Sequence, residues 1–211
     1  LDDDDRRLMN IITRETDTLS QWITDFLTYA RPRMGEKVRM DLLAMIRDAM
    51  TVFATDEKAA GVTLRLEAEG EAWVRADPVY LKQVVWNLLT NGVQAMPGGG
   101  ELSVSIEPVE KDLGPAWRVR FADTGPGISP DLREKVFEPF FTTKESGTGL
   151  GLPTVSRIVT EHHGSITIDA DAGRGTTFVV DLPRDPGSRD LDAVGMPSDA
   201  GGSLPSAPGA A

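Results

Sequence analysis

The stretch DPVYLKQVVWNLLTNGVQAMPGGG, residues 77–100, holds the strongest indication of the fold. Asp77 followed by Pro78 is a typical helix start, because the carboxylate caps free N–H groups and proline already has a helical φ angle. Apolar residues then follow at steps of three and four, as on the buried face of a helix: Leu81, Val84, Val85, Leu88 and Leu89. Pro97 and three glycines end the pattern, so the stretch predicts a helix from 78 to about 96.

The same helix carries a line of carboxamide side chains, because Gln83, Asn87 and Asn91 recur every four residues. Asparagine is a mediocre helix former, and its carboxamide oxygen is a hard, neutral ligand that suits Mg²⁺. One interpretation is therefore a metal site on this face. The other is a solvated face on which two asparagines occur by chance, and the helix alone does not separate the two.

Outward from this helix, segments with strand and helix patterns follow one another through residues 37–183. The patterns predict helices at 42–59, 130–136 and 150–162, and strands at 62–68, 72–76, 101–107, 117–123, 165–170 and 175–182. Runs of strands broken by helices, with neighbours spaced as in hairpins, are typical of an α/β fold. We expect a two-layer sandwich, in which a mixed β-sheet carries its helices on one face, preceded by one long helix.

A second stretch, DTGPGIS at 123–129, follows a predicted strand. Gly125 and Gly127 flank a proline and allow the backbone to approach a ligand closely. Asp123, at the strand end, can accept a hydrogen bond from an exocyclic amine such as that of adenine. A tight acidic turn without any ligand explains the same residues.

A third stretch, FEPFFTTKESGTGLGLPTVSRIV at 137–159, leads through Gly147, Gly149 and Gly151 into a helix. Free N–H groups and the positive end of the helix dipole suit a phosphate there, and Lys144 adds a positive charge. Residues 138–149 have no apolar period, which predicts a mobile lid. An ordinary glycine-containing loop is the alternative.

A fourth stretch, GRGTTF at 173–178, enters the last predicted strand. Thr176 or Thr177 could support an adenine ring there, directly or through water. The residues alone do not decide between the two threonines.

Residues 8–30 repeat apolar groups at helical spacing: Leu8, Ile11, Ile12, Leu19, Trp22, Ile23, Phe26, Leu27 and Tyr29. Aspartates at 2–5 suit the positive end of this helix, and Pro32 ends it. An apolar stripe of this length implies a partner helix. The alternative is one more core helix of the domain.

The composition restricts the possible partners. Acidic residues number 33 against 22 basic ones, a net charge of −11 that argues against nucleic-acid binding and direct membrane contact. Cysteine is absent, which fits a reducing compartment, and no apolar run approaches the ~18 residues of a membrane span. Residues 184–211, rich in Pro, Gly, Ser and Ala, predict a disordered tail.

In this order and spacing, the four stretches resemble the N, G1, F and G2 boxes of the catalytic, ATP-binding domain of bacterial sensor histidine kinases. That domain belongs to a superfamily shared with gyrase and MutL-type ATPases. The resemblance covers about residues 37–183, while residues 1–32 are similar to the second helix of the dimerisation and phosphoacceptor domain. The sequence of that helix is most similar to those of kinases in the nitrogen-regulation and type IV pilus branch.

The resemblance implies ATP or ADP and Mg²⁺ as ligands, and a response-regulator receiver domain and a second copy as partners of a longer protein. It also implies a cytoplasmic location for this part, even where a longer protein is anchored in a membrane. Asn91 and Asn87 would lie at the metal, Asp123 with Gly125 and Gly127 at the adenine, and Thr176 or Thr177 beside it. The phosphates would lie at Lys144, Gly147, Thr148, Gly149, Leu150 and Gly151. One departure is Gly92, where these kinases usually carry alanine, which puts the rigidity of the helix in doubt.

The resemblance also bears on EHHG, residues 161–164, which holds both histidines of the chain. Family members commonly close this helix with His-Gly, so His162 and His163 are interpreted as structural. The family's phosphoacceptor lies in a His-Glu or His-Asp motif that this sequence lacks, so we expect ATP binding without self-phosphorylation. Hydrolytic relatives carry a glutamate where Asn87 stands, which favours histidine phosphorylation. A gyrase-like ATPase, a serine-kinase relative and a nucleotide-binding module remain as alternatives.

Overall fold

The computed structural model describes residues 35–144, 147–170 and 175–185, together with residues 5–9, 12, 13, 16, 19, 20, 23 and 26. The strands are β1 (Val38–Asp41), β2 (Val62–Glu67), β3 (Trp73–Ala76), β4 (Gly100–Lys111), β5 (Gly114–Asp123), β6 (Ser165–Ala170) and β7 (Thr176–Pro183). The helices are α1 (Leu42–Phe53), α2 (Pro78–Gln94) and α3 (Gly151–Glu161). Three short 3₁₀ turns cover Glu57–Ala59, Pro130–Leu132 and Lys135–Phe137.

Five strands form one mixed sheet in the order β2-β4-β5-β7-β6, and β1 pairs with β3 in a separate antiparallel ribbon. The β2–β4 pair is parallel, and the other pairs of the large sheet are antiparallel. The register places Asp123, the last residue of β5, opposite Leu102 on one side and Thr176 on the other. The edge of the sheet at which β5 ends therefore carries two residues predicted for the site.

One face of the sheet is apolar and lies against all three helices. Buried side chains alternate along the central strands: Leu102, Val104, Val119, Phe121, Phe178, Val180 and Leu182. They join one core with the buried faces of α1, α2 and α3. The predicted fold class, a two-layer α/β sandwich with a mixed sheet and its helices on one face, is confirmed.

The opposite face of the sheet is polar. Arg118 on β5 donates two hydrogen bonds to Asp181 on β7, at 2.8 and 2.9 Å, and Lys111 Nζ lies 2.7 Å from the same carboxylate. Arg118 above all holds the pKa of Asp181 below its usual value. Cross-strand ion pairs of this kind stabilise the pairing of β5 with β7.

Helix α2 begins as the sequence predicts. The Asp77 side chain caps it by accepting hydrogen bonds from the N–H groups of Val79 and Tyr80. The helix continues without a break through Gly92, where a Cβ would lie 2.8 Å from Leu102 Cδ1. The glycine therefore lets β4 pack closely on α2, which gives a physical reason for the departure from alanine.

Two predicted helices are wrong in extent. Helix α1 stops at Phe53 rather than 59, because the chain turns through Thr55 and Asp56, whose N–H groups bond to Val52 O and Phe53 O. The turn brings the apolar Ala59 back into the core. The predicted helix 130–136 is two separate 3₁₀ turns, since it is too short for the α-helical hydrogen bonds to become cooperative.

Each described residue of the N-terminal segment is helical, in agreement with the predicted helix over 8–30, and the other residues of that segment lie outside the described part. Its described apolar side chains are between 49% and 59% exposed: Leu8, Met9, Ile12, Leu19, Ile23 and Phe26. In the parts of the chain that the structure describes, no helix has the length and apolarity to cross a membrane.

The folded domain reaches two residues beyond β7. The N–H groups of Arg184 and Asp185 donate to Pro115 O and Trp73 O, and Asp185 Oδ2 lies 2.9 Å from Arg39 Nε. The remainder of the predicted tail, residues 186–211, lies outside the described residues.

Candidate functional site

Helix α2 brings three carboxamides together on one face. Asn87 and Asn91 stand one turn apart, and Gln94 follows Asn91 by three residues, so all three lie on neighbouring turns. Lys144 reaches this face from the loop after β5, with Nζ 3.0 Å from Asn91 Oδ1 and 2.6 Å from Gln94 Oε1. Gln94 was not predicted as a site residue, although its spacing from Asn91 was visible in the sequence.

The Lys144 ammonium is held by neutral oxygens. Burial lowers its pKa, because the two amide oxygens that accept its hydrogen bonds carry no charge to offset the lost hydration. The ammonium occupies a position next to Asn91 Oδ1 where another cation could bind. The donor set therefore fits a hard metal ion such as Mg²⁺.

The described residues contain no group of three His, Cys, Asp or Glu side chains that could hold a metal ion. A metal at Asn91 would therefore depend on phosphate oxygens and water for most of its ligands, as Mg²⁺ commonly does. This donor set predicts weak binding of the free metal and stronger binding of the metal–nucleotide complex.

The N-terminus of α3 lies beside Asn87. A Cβ at Gly151 would be 3.6 Å from Asn87 Oδ1. No side chain caps this helix end, and the Leu150 N–H donates to the Thr148 hydroxyl at 3.2 Å. Uncapped N–H groups at the positive end of a helix dipole are suited to bind phosphate.

Asp123 forms a second centre, at the end of β5. The residue is only 7% exposed, and its Oδ1 accepts hydrogen bonds from the N–H groups of Gly125 at 2.9 Å and Thr176 at 3.3 Å. Burial raises the pKa of Asp123, and these two hydrogen bonds partly offset the rise. Among the described residues no donor bonds to Oδ2, so that oxygen is left for a donor on a ligand.

The loop that follows Asp123 lies close against the end of α2. A Cβ at Gly125 would meet Asp123 Oδ1 at 2.8 Å and the carbonyl oxygen of Ala95 at 3.1 Å. A larger residue would crowd these atoms and displace the Asp123 carboxylate. Gly125 therefore fixes the distance between the Asp123 centre and the helix that carries Asn91.

The two threonines of GRGTTF, Thr176 and Thr177, face opposite sides of the sheet. Thr176 is buried and pairs with Asp123 across the β5–β7 ladder, so the two side chains share the helix-bearing face of the sheet. Thr177 pairs with Ala122, and strand alternation turns it to the polar face. Thr176 is therefore the threonine beside Asp123, and a contact of Thr177 with the same ligand stays a prediction.

Backbone hydrogen bonds join the loop that carries Lys144 to the glycine-rich segment at 147–151. The Phe140 N–H donates to Gly149 O at 3.0 Å, and Gly147 N–H donates to Lys144 O at 3.3 Å. Phe140 adopts a φ of 68°, which is costly for an aromatic residue, and its side chain is exposed. Gly127, in the loop after Asp123, also has a positive φ of 80°.

The two histidines lie at the other end of α3. His162 is 4% exposed, its Nδ1 lies 2.8 Å from Ile158 O, and its Nε2 accepts a hydrogen bond from the Asp77 N–H at 3.0 Å. This pairing requires the neutral ring with its proton on Nδ1, and burial lowers the pKa of His162 accordingly. The structural interpretation of His162 is confirmed, while His163 is exposed at the helix end with a φ of 59°.

Comparisons with known proteins show the family of the chain. A family model described as "Histidine kinase-, DNA gyrase B-, and HSP90-like ATPase" matches residues 76–186, more than half of the chain. The chain is 33% identical to sporulation kinase E of Bacillus subtilis over 175 residues, which are 82% of this chain and 23% of that protein. It is also 33% identical to the signal transduction histidine-protein kinase AtoS of Escherichia coli, over 84% of this chain and 29% of AtoS.

Among solved structures, the chain is similar to histidine kinase ThkA in its complex with the response regulator protein TrrA. The identity is 30%, the TM-score is 0.71, and the match covers 90% of this chain and 55% of that one. The chain thus spans only about a quarter of the length of the two curated relatives.

Proposed function

The chain belongs to the family of histidine kinase-, DNA gyrase B- and HSP90-like ATPases, and we propose that it acts as the catalytic part of a two-component sensor histidine kinase. In this proposal it binds ATP with Mg²⁺ and supplies the γ-phosphoryl group to a histidine outside this sequence. A receiver-domain aspartate of a response regulator then takes the group. The observation that carries the proposal is the meeting of Asn91 with Lys144, next to the uncapped N-terminus of α3.

The adenine would bind at Asp123. Its free Oδ2 is placed to accept a hydrogen bond from the exocyclic amine, while Oδ1 is already held by backbone N–H groups. Gly125 and Gly127 would leave room for the flat base, and Thr176 would line the pocket beside the carboxylate. A buried acceptor with its geometry fixed in advance favours an amine over a carbonyl at that position of the base.

The phosphates and the metal would bind between α2 and α3. Asn91 would ligate Mg²⁺ and Asn87 would lie at the metal and the phosphates, while Lys144 and the backbone of residues 147–151 would hold the phosphate oxygens. Bound Mg²⁺ would supply neutralisation of the phosphate charge during transfer. In phosphoryl transfer the protein mainly positions groups and neutralises charge, and the catalytic assignment rests on Asn87, Asn91 and Lys144 for these tasks.

Transfer to histidine is favoured over hydrolysis by the residue at position 87. Water or a serine hydroxyl must lose a proton to attack phosphorus, whereas a neutral imidazole already has a lone pair. Asn87 cannot accept that proton as a carboxylate would. A gyrase-like ATPase, a serine-kinase relative or a module that only binds nucleotide are the rival functions.

The N-terminal helix supports dimer formation by the longer protein. Its exposed apolar residues recur at spacings of four, seven and three, as in Leu8, Ile12, Leu19, Ile23 and Phe26, which is the pattern of a helix that packs on another helix. We place this segment in the dimerisation domain, in the nitrogen-regulation and pilus branch. ThkA in complex with its regulator supports a receiver domain as a second partner. A cytoplasmic location fits the absence of cysteine.

The substitution Asp123→Asn tests the adenine assignment. An asparagine can turn its amide toward the adenine amine and would leave a buried donor or acceptor unpaired, at a cost of about 1–3 kcal/mol. We expect ADP binding in the presence of Mg²⁺ to weaken about tenfold or more, as measured by calorimetry. Asp169→Asn, at an exposed position on β6, is the matched control and should bind as the wild type does. Equal affinities for all three proteins would rule out Asp123 as the adenine acceptor.

A further inference from the structure

The Lys144 side chain and a metal ion require the same oxygen. Lys144 Nζ is 3.0 Å from Asn91 Oδ1, the atom assigned above to Mg²⁺. A Mg²⁺ ion bonds its ligands at about 2.0–2.1 Å. Even on opposite sides of the oxygen, the two cations would lie within about 5 Å of each other, where repulsion in a partly desolvated site is strong.

Gln94 makes the shorter of the two hydrogen bonds to the lysine. Its Oε1 lies 2.6 Å from Lys144 Nζ, compared with 3.0 Å for Asn91 Oδ1. Gln94 is exposed at the last turn of α2. Its amide is a neutral acceptor that holds the ammonium next to Asn91 without drawing the metal itself as a carboxylate would.

The backbone of Lys144 is anchored independently of its side chain. The Lys144 N–H donates to the Thr142 hydroxyl at 3.1 Å, and Lys144 O accepts from the Gly147 N–H at 3.3 Å. The ammonium can therefore leave Asn91 by rotation of its own side chain, without breaking these two backbone hydrogen bonds.

We propose that Lys144 and Mg²⁺ occupy Asn91 Oδ1 in alternation, and that Gln94 is the positioning residue that holds the lysine there while the metal is absent. The proposal rests on the assignment of Asn91 as the metal ligand. In the metal-free protein the lysine donates a hydrogen bond to the Asn91 oxygen. Entry of the metal–nucleotide complex displaces the ammonium, which then lies next to the phosphates that it is assigned to bind.

The Mg²⁺ dependence of ADP binding tests this alternation in the full 211-residue chain. The measured quantity is the free Mg²⁺ concentration that gives half-maximal binding of a fluorescent ADP. Gln94→Leu removes one of the two acceptors of the ammonium, so the metal competes with a weaker rival. We expect the half-saturating Mg²⁺ concentration to fall by about threefold to tenfold. Thr51→Leu, at an exposed position on α1 that has no role in the candidate site, should leave it unchanged.

The environment of the Lys144 ammonium is measured separately by nuclear magnetic resonance of the side-chain ammonium groups. Lys144 is one of six lysines in the sequence, and its signal is identified as the one lost in Lys144→Arg. We expect a slowly exchanging ammonium in the protein without ligands, fast exchange in Gln94→Leu, and a shifted signal after addition of Mg²⁺ and ADP.

A signal that is the same with and without Mg²⁺ and ADP, although calorimetry shows that they bind, would overturn the alternation and leave the proposed function intact. Absence of Mg²⁺-dependent binding to the wild type would overturn both.

Discussion

His162 shows how one side chain joins the two helices that carry the candidate site. Its ring accepts a hydrogen bond from the N–H of Asp77, the residue that caps α2, and donates to Ile158 in the last turn of α3. The ends of both helices are thus fixed to each other on the side away from Asn87 and Gly151. A histidine with both nitrogens engaged in this way is unsuited to accept a phosphoryl group.

The engaged ring predicts a loss of stability in acid. The folded-state pKa of His162 is lowered, by burial above all, with Lys37 and His163 lowering it further and Asp77 raising it. The stabilisation is therefore complete above the ordinary imidazole pKa of about 6.5 and is lost as the pH falls through the lower folded value. We expect the urea midpoint to decrease between pH 8 and pH 5.5 by more in the wild type than in His162→Gln, which cannot titrate. His163→Gln, at the exposed neighbour, should keep the wild-type decrease, and a His162→Gln protein with that same decrease would contradict the assignment.

At the residue scale, sequence patterns predicted the candidate site residues but not the hydrogen bonds between them. Asn87, Asn91, Asp123 and Lys144 stand out by type and position, because such residues are unusual on a helix face or before a glycine-rich turn. The bond between Asp77 and His162 joins residues 85 positions apart, and that between Lys144 and Gln94 joins residues 50 positions apart. Pairings of this kind depend on how the helices pack, which no local pattern encodes.

At the scale of elements, prediction succeeded where a cap or a long period was present. Helix α2 has an acidic cap, a proline and several apolar turns, and its predicted start agrees with the structure. Strand β1 was not predicted. Apolar and charged residues alternate in it, but four residues are too few for this alternation to indicate a strand. The end of α1 was misplaced, because the turn after Phe53 depends on Ala59 reaching the core rather than on a local stop signal.

The segment 138–149 has a testable dynamic property. Its glycines and its lack of an apolar period predict few contacts that would slow opening, although Phe140 and Gly149 are joined by one backbone hydrogen bond. We expect its amide hydrogen exchange to be fast without ligand and to slow severalfold with ADP and Mg²⁺, as bound phosphate orders the segment. Helix α1, which carries no residue of the candidate site, serves as the internal control and should exchange equally slowly in both states. Unchanged exchange in 138–149 would argue against a lid.

At the scale of the whole molecule, the position of the only two imidazoles sets a limit on activity. His162 and His163 lie at one end of α3 and the proposed phosphate site lies at the other. Twelve residues at about 1.5 Å each separate Gly151 from His163, so roughly 18 Å lies between them. In-line transfer requires reacting atoms about 3–3.5 Å apart.

This separation predicts that the chain will not phosphorylate itself with ATP and Mg²⁺. We expect no acid-labile label from γ-labelled ATP, and we expect labelling to appear when a helix with an acceptor histidine is supplied in trans and pairs with residues 8–30. The same mixture with Asn91→Ala in place of the wild type should stay unlabelled, because the metal would have lost its proposed ligand. Acid-labile phosphate on His162 or His163 would contradict the prediction.

The route by which the chain enters the domain has a mechanical consequence. The Gly35 N–H donates to Asp77 Oδ2 at 2.6 Å, and Lys37 Nζ donates to Glu161 O at 2.6 Å. A pull on the chain before Gly35 is therefore divided between the residue that caps α2 and the last residue of α3. Because His162 bonds to both of these ends, we expect the load to act on the two helices together rather than on one of them alone. We expect the contact between Asn87 and Gly151, at the other end of the two helices, to persist under such a load.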